Sequence, residues 1–242
     1  MNRLPGISAF FPAYNEERNV ASMVERLSAV LPRVADDYEI IVVNDGSADR
    51  TGAIADEIAA ADAHVRAVHH AVNRGYGGAL KSGFAASRKE YVFFTDGDGQ
   101  FDVAEIERLL PHVPEYDIVV GYRLERAEGG LRKLNAGAWN WLVRRLFRIP
   151  VRDVDCAFKL FKRRVFDTVQ SQAEGAMIST EVLARAVRAG FRVTEVGVHH
   201  YPRAHGKPTG ANPLVIARAF YELFKLYRKI TSESGAARRP AR

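Results

Sequence analysis

The 242-residue sequence contains a single cysteine, Cys156, which excludes an internal disulfide framework and any metal site built from several cysteines. No stretch approaches the ~18 consecutive apolar residues that a membrane-spanning helix needs. The first residues lack a cationic segment followed by a long apolar run, so we expect no signal peptide. A single cysteine suits a protein that works in a reducing compartment.

The charge balance narrows the classes of partner without choosing among them. The formal net charge is +6 at pH 7. An excess of basic residues suits nucleic acid, anionic lipid or phosphorylated small molecules. A hydrophobic content of 47% is enough for an ordinary buried core. A chain of this length fits one large α/β domain.

The first half of the sequence alternates short apolar runs with segments of helical periodicity. Five runs rich in Ile, Val and Phe are predicted strands: Ile7–Phe11, Glu39–Val43, Val65–His69, Tyr91–Thr95 and Asp117–Gly121. Four segments between them are predicted helices: Glu16–Val30, Thr51–Ala61, Gly78–Ser87 and Val103–Leu110. This alternation favours an α/β fold with a mostly parallel sheet, whose ligand binds beyond the carboxyl ends of the strands.

The second half of the sequence is less regular. Its predicted helices and strands are Leu131–Ile149, Phe158–Phe161, Thr180–Ala189, Val193–Val198 and Asn212–Ile230, of which the second and fourth are the strands. We expect one domain over residues 1–211, a C-terminal amphipathic helix over 212–230, and a disordered basic tail over 231–242.

Four polar clusters each follow a predicted strand. They cover residues 11–16, 44–49, 73–78 and 95–100. Any one of them has an ordinary structural interpretation, because Asp-Gly pairs and Asn residues are common turn formers and helix caps. Four such clusters at one edge of a parallel sheet favour a nucleotide site, because that edge is where nucleotides bind.

The fourth cluster carries the most specific chemistry. Asp96 and Asp98 are separated by one glycine and follow the buried run Tyr91–Thr95. Carboxylate oxygens are preferred ligands of Mg²⁺ and Mn²⁺, which take the rest of their shell from water and substrate phosphates. Gln100 can add a neutral amide oxygen. Such an ion would neutralise the charge that grows on a departing diphosphate.

In this order the four motifs resemble family 2 of the inverting glycosyltransferases. The residues are Pro-Ala-Tyr-Asn-Glu at 12–16, Asn-Asp-Gly-Ser-x-Asp-x-Thr at 44–51, Asn-x-Gly-x-Gly at 73–77 and Asp-x-Asp-x-Gln at 96–100. Within that family the sequence is most similar to the dolichyl- and polyprenyl-phosphate sugar synthases, over about residues 7–203. The resemblance implies a GT-A fold.

The resemblance also assigns roles to individual residues. Asp96 would contact the donor, while Asp98 and Gln100 would hold Mg²⁺ or Mn²⁺. The residues that would line the nucleoside pocket are Pro12, Ala13, Tyr14, Glu16 and Asp45.

The acceptor side of the resembled synthases has a Gly-Ser-Arg sequence whose arginine faces phosphates. Here Gly121-Tyr122-Arg123 follows the fifth strand, so the resemblance implies that role for Arg123 and leaves Tyr122 without one. Arg132 is a second candidate, with solvation as its alternative. A loop after the last strand would close over the phosphates in these synthases, and Arg203 is the residue we expect to act there.

Two further groups of residues leave alternatives open. His200 or His205 could complete the metal shell or simply lie in the loop. Glu181 lies where inverting GT-A enzymes often carry a base, and it is equally typical of a carboxylate at a helix start. The helices 131–149 and 212–230 each have an apolar and a basic face, which is typical of a membrane-surface helix and of a helix that packs on a domain.

The sequence therefore predicts inverting transfer of a hexose from a GDP- or UDP-sugar to a polyprenyl phosphate. A phosphate monoester is mostly deprotonated at neutral pH, since its second pKa is ~6, and it needs no strong base. The partners would be the nucleotide sugar, the polyprenyl phosphate and the cytoplasmic face of a membrane, with no nucleic acid. A family 2 transferase acting on a hydroxyl, with Glu181 as base, is the alternative. A non-catalytic module that binds nucleotide sugar or nucleic acid is the third.

Overall fold

The computed structural model describes residues 3–124, 130–173, 175, 177–202 and 213–237, without the side chains of 130–136, 213–219 and 234–237. Its strands are β1 (Ile7–Ala13), β2 (Tyr38–Asn44), β3 (Val65–His69), β4 (Tyr91–Thr95), β5 (Ile118–Arg123), β6 (Phe158–Lys162) and β7 (Val193–Val198). Its α-helices are α1 (Val20–Val34), α2 (Thr51–Ala61), α3 (Gly75–Ala86), α4 (Gly130–Phe147), α5 (Arg164–Thr168), α6 (Ile178–Arg188) and α7 (Pro213–Ala237).

The strands form one sheet in the order β3-β2-β1-β4-β6-β5-β7. Every pairing is parallel except those of β6, which runs antiparallel to both β4 and β5. This arrangement confirms the predicted α/β fold with a mostly parallel sheet. Because β2 and β4 lie on opposite sides of β1, the chain switches direction across the sheet there, which is where such folds bind ligands.

Strand β6 brings a later part of the chain to the same edge. Its first residue, Phe158, pairs with Thr95 at the carboxyl end of β4. Because β6 is antiparallel, the residues just before it lie beside the residues that follow β4. The segment 153–157 therefore reaches the edge at which the four polar clusters lie.

Three of the predicted helices differ most from the structure. Helix α1 begins at Val20 and not at Glu16. The residues before it form a turn, in which the Glu16 N–H donates to Thr51 Oγ1 at 2.8 Å and the Glu17 N–H donates to Asp49 Oδ2 at 3.2 Å. The segment predicted as one helix from Val103 forms two short 3-10 helices, over Val103–Arg108 and Leu110–His112. Helix α7 continues past its predicted end.

The extension of α7 has a clear cause. Thr231 Oγ1 donates to the Tyr227 carbonyl at 2.7 Å within the helix, and Glu233 accepts from Arg185 of α6 at 2.7 Å. Residues 231–237, predicted as part of a disordered tail, are therefore helical, and residues 238–242 lie outside the described part of the chain.

Helices α4 and α7 pack against each other through aromatic side chains. Trp139 meets Phe220 edge-on with ring centroids 5.2 Å apart, and Phe147 meets Tyr227 at 5.9 Å. Part of each predicted apolar face is thus an internal contact. Trp141, which a spacing of 100° per residue places on the apolar face of helix 131–149, is 66% exposed.

Helix α3 lies directly on β1 because it carries glycine where the two meet. A Cβ atom built on Gly83 would stand 2.2 Å from Cδ2 of Phe10, whose ring is fully buried. Phe10 also meets Phe84 and Phe94 with ring centroids 5.0 and 5.7 Å apart. No side chain fits at Gly83 unless this aromatic group moves.

We expect Gly83→Ala to lower the free energy of unfolding by ~1–3 kcal/mol, because the added methyl group overpacks the core against Phe10. The measurement is urea denaturation followed by circular dichroism. Gly137→Ala is the matched control, since a Cβ there meets nothing within 4 Å in helix α4. Alanine at an exposed helical site should stabilise by up to ~1 kcal/mol. Equal effects in both variants would contradict the close approach at Gly83.

Candidate active site

The first two polar clusters are joined by hydrogen bonds between their loops. Asn15 N–H donates to Ser47 Oγ at 3.0 Å, and Asn15 Oδ1 accepts from the Ala48 N–H at 2.9 Å. Asn15 adopts φ of 55°, a left-handed conformation that asparagine tolerates better than most residues. The loops after β1 and β2 are therefore held as one unit. Tyr14 stays half-exposed beside them.

Asp45 connects the second cluster to the first and the third. Its backbone N–H donates to the Ala13 carbonyl at 2.9 Å. Its Oδ1 accepts from the Arg74 backbone N–H at 2.8 Å and lies 2.5 Å from His70 Nδ1. The Asp45 side chain is only 4% exposed. Its carboxylate is thus fixed by groups that follow β3.

The fourth cluster touches the first through Gly97. A Cβ on Gly97 would stand 2.6 Å from the Pro12 carbonyl oxygen, so only glycine allows this approach. The Tyr76 hydroxyl, from the third cluster, donates to Asp96 Oδ1 at 3.1 Å. Desolvation, reinforced by the Asp96 charge, raises the pKa of Tyr76 well above its ordinary value, so the phenol keeps its proton. All four clusters meet at one edge of the sheet.

Asp98 and Gln100 are held in defined orientations. Asp98 is 5% exposed, and its Oδ1 accepts from the Gln100 backbone N–H at 3.1 Å. Gln100 Nε2 donates to the Tyr201 carbonyl at 2.9 Å, and the Tyr201 N–H donates to the Gln100 carbonyl at 2.8 Å. The chain that leaves β7 is therefore attached to the Asp-x-Asp-x-Gln segment.

The donor set of this segment suits Mg²⁺ or Mn²⁺. Among the residues that the structure describes, no group of three or more His, Cys, Asp and Glu side chains could hold a metal by itself. A carboxylate and an amide are a small set, and Mg²⁺ is typically bound by one or two carboxylates with water and phosphate oxygens completing the shell. Asp98 and Gln100 fit an ion whose shell is completed by water and a diphosphate.

Arg123 ends β5 at the same edge and is paired with an acidic residue that the sequence analysis did not select. Its Nε and Nη2 donate to the two carboxylate oxygens of Asp153 at 2.7 and 2.8 Å. Asp153 is 4% exposed, so this is a largely buried two-point ion pair. The guanidinium is oriented by Asp153 in the described structure.

A second group missed from the sequence is Asp155 with Lys159. Lys159 is 1% exposed, its Nζ donates to the Cys156 carbonyl, and it lies 5.1 Å from the centroid of the Phe94 ring. Burial lowers the pKa of Lys159, against the opposing charges of Asp155 and its neighbours. Desolvation raises the pKa of Asp155, with the Lys159 charge opposing the change and a hydrogen bond from Trp139 adding to that opposition.

The sequence contained a signal for this group. Lys159 interrupts the apolar run Phe158–Phe161, and a buried strand rarely includes a lysine without a partner. Asp153 and Asp155 stand just before it. Their place at the site follows from the antiparallel direction of β6, which short-range pattern does not reveal.

Glu181 has the contacts of a structural carboxylate. It is 1% exposed, and its Oε2 accepts from Ser171 Oγ and from the N–H groups of Gln172 and Ala173, at 2.8, 2.8 and 2.7 Å. Arg185 Nε donates to Oε1 at 2.9 Å. Burial opposes ionisation, but the Ala173, Ser171 and Arg185 hydrogen bonds outweigh it and lower the pKa of Glu181. These contacts favour the helix-start interpretation over the catalytic base.

The structure places most of the predicted site residues together at this edge. Pro12, Ala13, Tyr14 and Glu16 follow or end β1, and Asp45 follows β2. The predicted residues that lie outside the described residues are Arg203, His205 and, for its side chain, Arg132.

Comparison with known proteins gives the same family as the four sequence motifs. The family described as Glycosyl transferase family 2 matches residues 8–170. The chain is 38% identical over 213 residues to Glycosyltransferase AglD of Haloferax volcanii, covering 83% of this chain and 34% of that protein. It is 31% identical over 205 residues to an undecaprenyl-phosphate 4-deoxy-4-formamido-L-arabinose transferase of Pseudomonas fluorescens, covering 83% of this chain and 59% of that protein.

A third relative is the dodecaprenyl-phosphate galacturonate synthase of Rhizobium johnstonii, 29% identical over 204 residues, with 83% of this chain and 60% of the relative covered. Two of these three relatives have a polyprenyl phosphate in their names, which confirms the predicted resemblance. The chain spans between about a third and three fifths of the length of these proteins.

Solved structures support the fold. Glucosyl-3-phosphoglycerate synthase of Mycobacterium tuberculosis, crystallised with Mn²⁺, UDP-glucose and phosphoglyceric acid, aligns with a TM-score of 0.69 at 20% identity, covering 92% of this chain and 80% of that one. The same enzyme with Mg²⁺ and UDP aligns with a TM-score of 0.64 at 21% identity, covering 84% and 73%. This likeness confirms the predicted GT-A fold. With its motifs joined at one sheet edge and two thirds of its length matched, the chain belongs to glycosyl transferase family 2.

Proposed function

We propose that the protein transfers a hexose from a nucleotide diphosphate sugar to a polyprenyl phosphate, with inversion and with Mg²⁺ or Mn²⁺. The observation that carries the proposal is the joining of four polar clusters around Asp45, Asp96 and Asp98 at the carboxyl edge of the sheet. The solved neighbour bound UDP-glucose with Mn²⁺, which supports the donor class. The named polyprenyl-phosphate relatives support the acceptor class.

The donor would bind across the switch point of the sheet. Tyr14 is exposed and follows Ala13, whose carbonyl accepts from the Asp45 N–H, so the nucleoside would lie between the first and second clusters. Asp98 and Gln100 would hold the metal, and Asp96, oriented by Tyr76, would contact the donor. When bound, the ion would neutralise the charge that develops on the leaving diphosphate.

The acceptor would need cations and no strong base. A phosphate monoester has a second pKa of ~6 and presents an anionic oxygen at neutral pH. Arg123 lies at the end of β5, where its ion pair with Asp153 holds the guanidinium in one orientation. We propose that Arg123 and Arg203 hold the acceptor phosphate. The oriented charge of Arg123 would then keep the acceptor oxygen in line with the sugar carbon, which is how positioning lowers the barrier.

We also propose that α4 and α7 dock on an anionic membrane from the cytoplasmic side. In the described residues no helix is long and apolar enough to cross a membrane. Large aromatic side chains nonetheless remain exposed on both helices: Trp141, Phe220, Tyr221 and Phe224. Exposed basic residues accompany them: Arg144, Arg145, Arg148, Lys225 and Arg228. Aromatic and basic side chains together match the headgroup region of an anionic bilayer.

Asp98→Asn should reduce transfer by at least ~10²-fold, because the variant loses a charged metal ligand at the leaving group. The assay combines Mn²⁺, UDP- or GDP-sugars and a short polyprenyl phosphate, with product sought in the organic and aqueous phases. Asp102→Asn is the control, since Asp102 only caps a 3-10 helix and asparagine caps equally well. Wild-type turnover by Asp98→Asn in the presence of EDTA would exclude metal catalysis here. Product confined to the aqueous phase would exclude the lipid acceptor.

Glu181→Gln should cost ~1–3 kcal/mol of unfolding free energy at pH 7, because the amide cannot accept every hydrogen bond that the buried carboxylate accepts. Glu57→Gln, at an exposed ion pair with Arg50, should cost less than ~1 kcal/mol. The folded-state pKa of Glu181 is lowered, so its contribution is complete above the unfolded pKa of ~4.3 and is lost as the pH falls through the folded value. The difference between wild type and Glu181→Gln should therefore shrink in acid.

Activity of the same variant separates the two acceptor classes. With a phosphate acceptor, folded Glu181→Gln should keep turnover within a few-fold of wild type. A general base would instead be worth ~10²–10⁴-fold in rate. A loss of that size in a variant that circular dichroism shows to be folded would favour a hydroxyl acceptor.

Replacing Trp141 and Phe224 by serine should release the protein from vesicles that contain anionic lipid. Each aromatic side chain that enters the headgroup region contributes on the order of 1 kcal/mol, or about five-fold in binding. Arg144→Gln and Arg148→Gln should each weaken binding by ~1 kcal/mol, and more salt should weaken the wild type in the same direction. Co-sedimentation with vesicles measures the binding of the aromatic variants and of the arginine variants, and the effect of salt. Val72→Ser, an exposed apolar residue elsewhere, should change nothing. Wild-type protein left in the supernatant at low salt would contradict membrane docking.

A further inference from the structure

Three polar side chains from different elements form a continuous hydrogen-bonded chain at the proposed nucleoside site. His70 follows β3, and its Nδ1 lies 2.5 Å from Asp45 Oδ1. Its Nε2 lies 2.8 Å from Ser82 Oγ on α3. The imidazole side chain is 5% exposed, so these two contacts are made largely away from water. None of the motifs recognised in the sequence includes His70 or Ser82.

The chemistry of the three groups fixes the direction of the chain. A carboxylate only accepts, so His70 Nδ1 must donate its proton to Asp45. Ser82 can donate its hydroxyl proton to Nε2 of a neutral imidazole or accept from a protonated one. The chain therefore stays intact in either charge state of His70, which suits holding a geometry rather than passing a proton.

These hydrogen bonds fix the position of Oδ1, one of the two carboxylate oxygens of Asp45. Oδ1 accepts from both His70 and the Arg74 backbone N–H, while the Asp45 backbone is tied to Ala13. In the described part of the protein, Oδ2 has no such hydrogen-bond partner. Rotation of the carboxylate would break two hydrogen bonds in a buried setting, which is costly. Oδ2 is thereby held as a fixed acceptor on a residue whose backbone N–H bonds to Ala13 at the end of β1.

We propose that His70 and Ser82 are positioning residues that hold Asp45 Oδ2 to accept an N–H from the donor's base. This inference rests on the proposed function, because it takes the bound ligand to be a nucleotide diphosphate sugar. Uracil and guanine present an N–H on the pairing edge of the ring. Cytosine and adenine present a bare ring nitrogen at that position, which an acceptor-only carboxylate repels. The chain thus selects uridine or guanosine donors against cytidine and adenosine donors.

The test measures binding, apart from turnover. Calorimetric titration with Mn²⁺ compares UDP, GDP and CDP with inorganic pyrophosphate, which carries no base. Wild type should bind UDP or GDP at least ~10-fold more tightly than CDP, by the usual cost of an unpaired buried acceptor. His70→Ala should lose ~10-fold in affinity for the preferred nucleotide, keep its affinity for pyrophosphate, and discriminate less against CDP.

Two further variants separate positioning from simple damage. His70→Asn retains an N–H donor near the place of Nδ1, so it should recover most of the lost affinity without Ser82. Ser82→Ala should produce a smaller loss than His70→Ala, since it leaves the imidazole in place. His64→Ala is the matched control, because His64 also pairs with an aspartate, Asp62, but precedes β3 at the opposite end of the strand. In turnover, His70→Ala should raise KM for the donor and leave kcat nearly unchanged.

The outcomes are distinguishable. If His70→Ala binds UDP or GDP as tightly as wild type does, the inference is wrong and the proposed function still stands. The same holds if His70→Ala loses as much affinity for pyrophosphate as for the nucleotides. Wild-type protein that binds none of the nucleotides with Mn²⁺ overturns the proposed function together with the inference. Wild type that binds CDP as well as UDP and GDP overturns the base selection.

Discussion

The polar backbone and side-chain groups that follow parallel strands must find partners, since strand pairing ends there. In this protein each strand-end loop supplies the partners of the next. Asn15 bonds to the loop after β2, Asp45 bonds to the residues after β3, and Tyr76 bonds to Asp96 after β4. The site is therefore not four independent turns on a sheet. Its geometry depends on mutual hydrogen bonding among loops whose strands are themselves fixed by the aromatic core.

Local pattern was sufficient wherever a short segment decides its own conformation. The predicted bounds of β3, β4, β7 and α2 are those of the structure, because each is a short segment of strand-forming or helix-forming residues with a clear change of pattern at both ends. The four motifs also indicated the correct edge of the sheet. These features depend on residues that are adjacent in sequence, and local sequence patterns predict such features well.

Features set by distant contacts could not be predicted in the same way. Helix α1 begins after a turn whose Glu16 N–H bonds to Thr51, which is far along the chain. Asp153 and Lys159 join the site because β6 runs antiparallel between β4 and β5. Glu181 had two equally good interpretations until its four donors were known. In each case the contact that fixes the feature cannot be predicted from the local spacing of residues.

The ion pair between Arg185 of α6 and Glu233 of α7 bears on how the domain would sit at a lipid surface. Arg185 also bonds to the buried Glu181, so α7 is braced against the interior and is not a loose tether. A helix that is fixed to the domain determines how the domain is oriented on a surface, in addition to attaching it there. In the proposed docking, α7 in a headgroup layer would set the tilt of the whole sheet and the height of its carboxyl edge above the bilayer. That height would decide how far the headgroup of the proposed acceptor must rise to meet the donor.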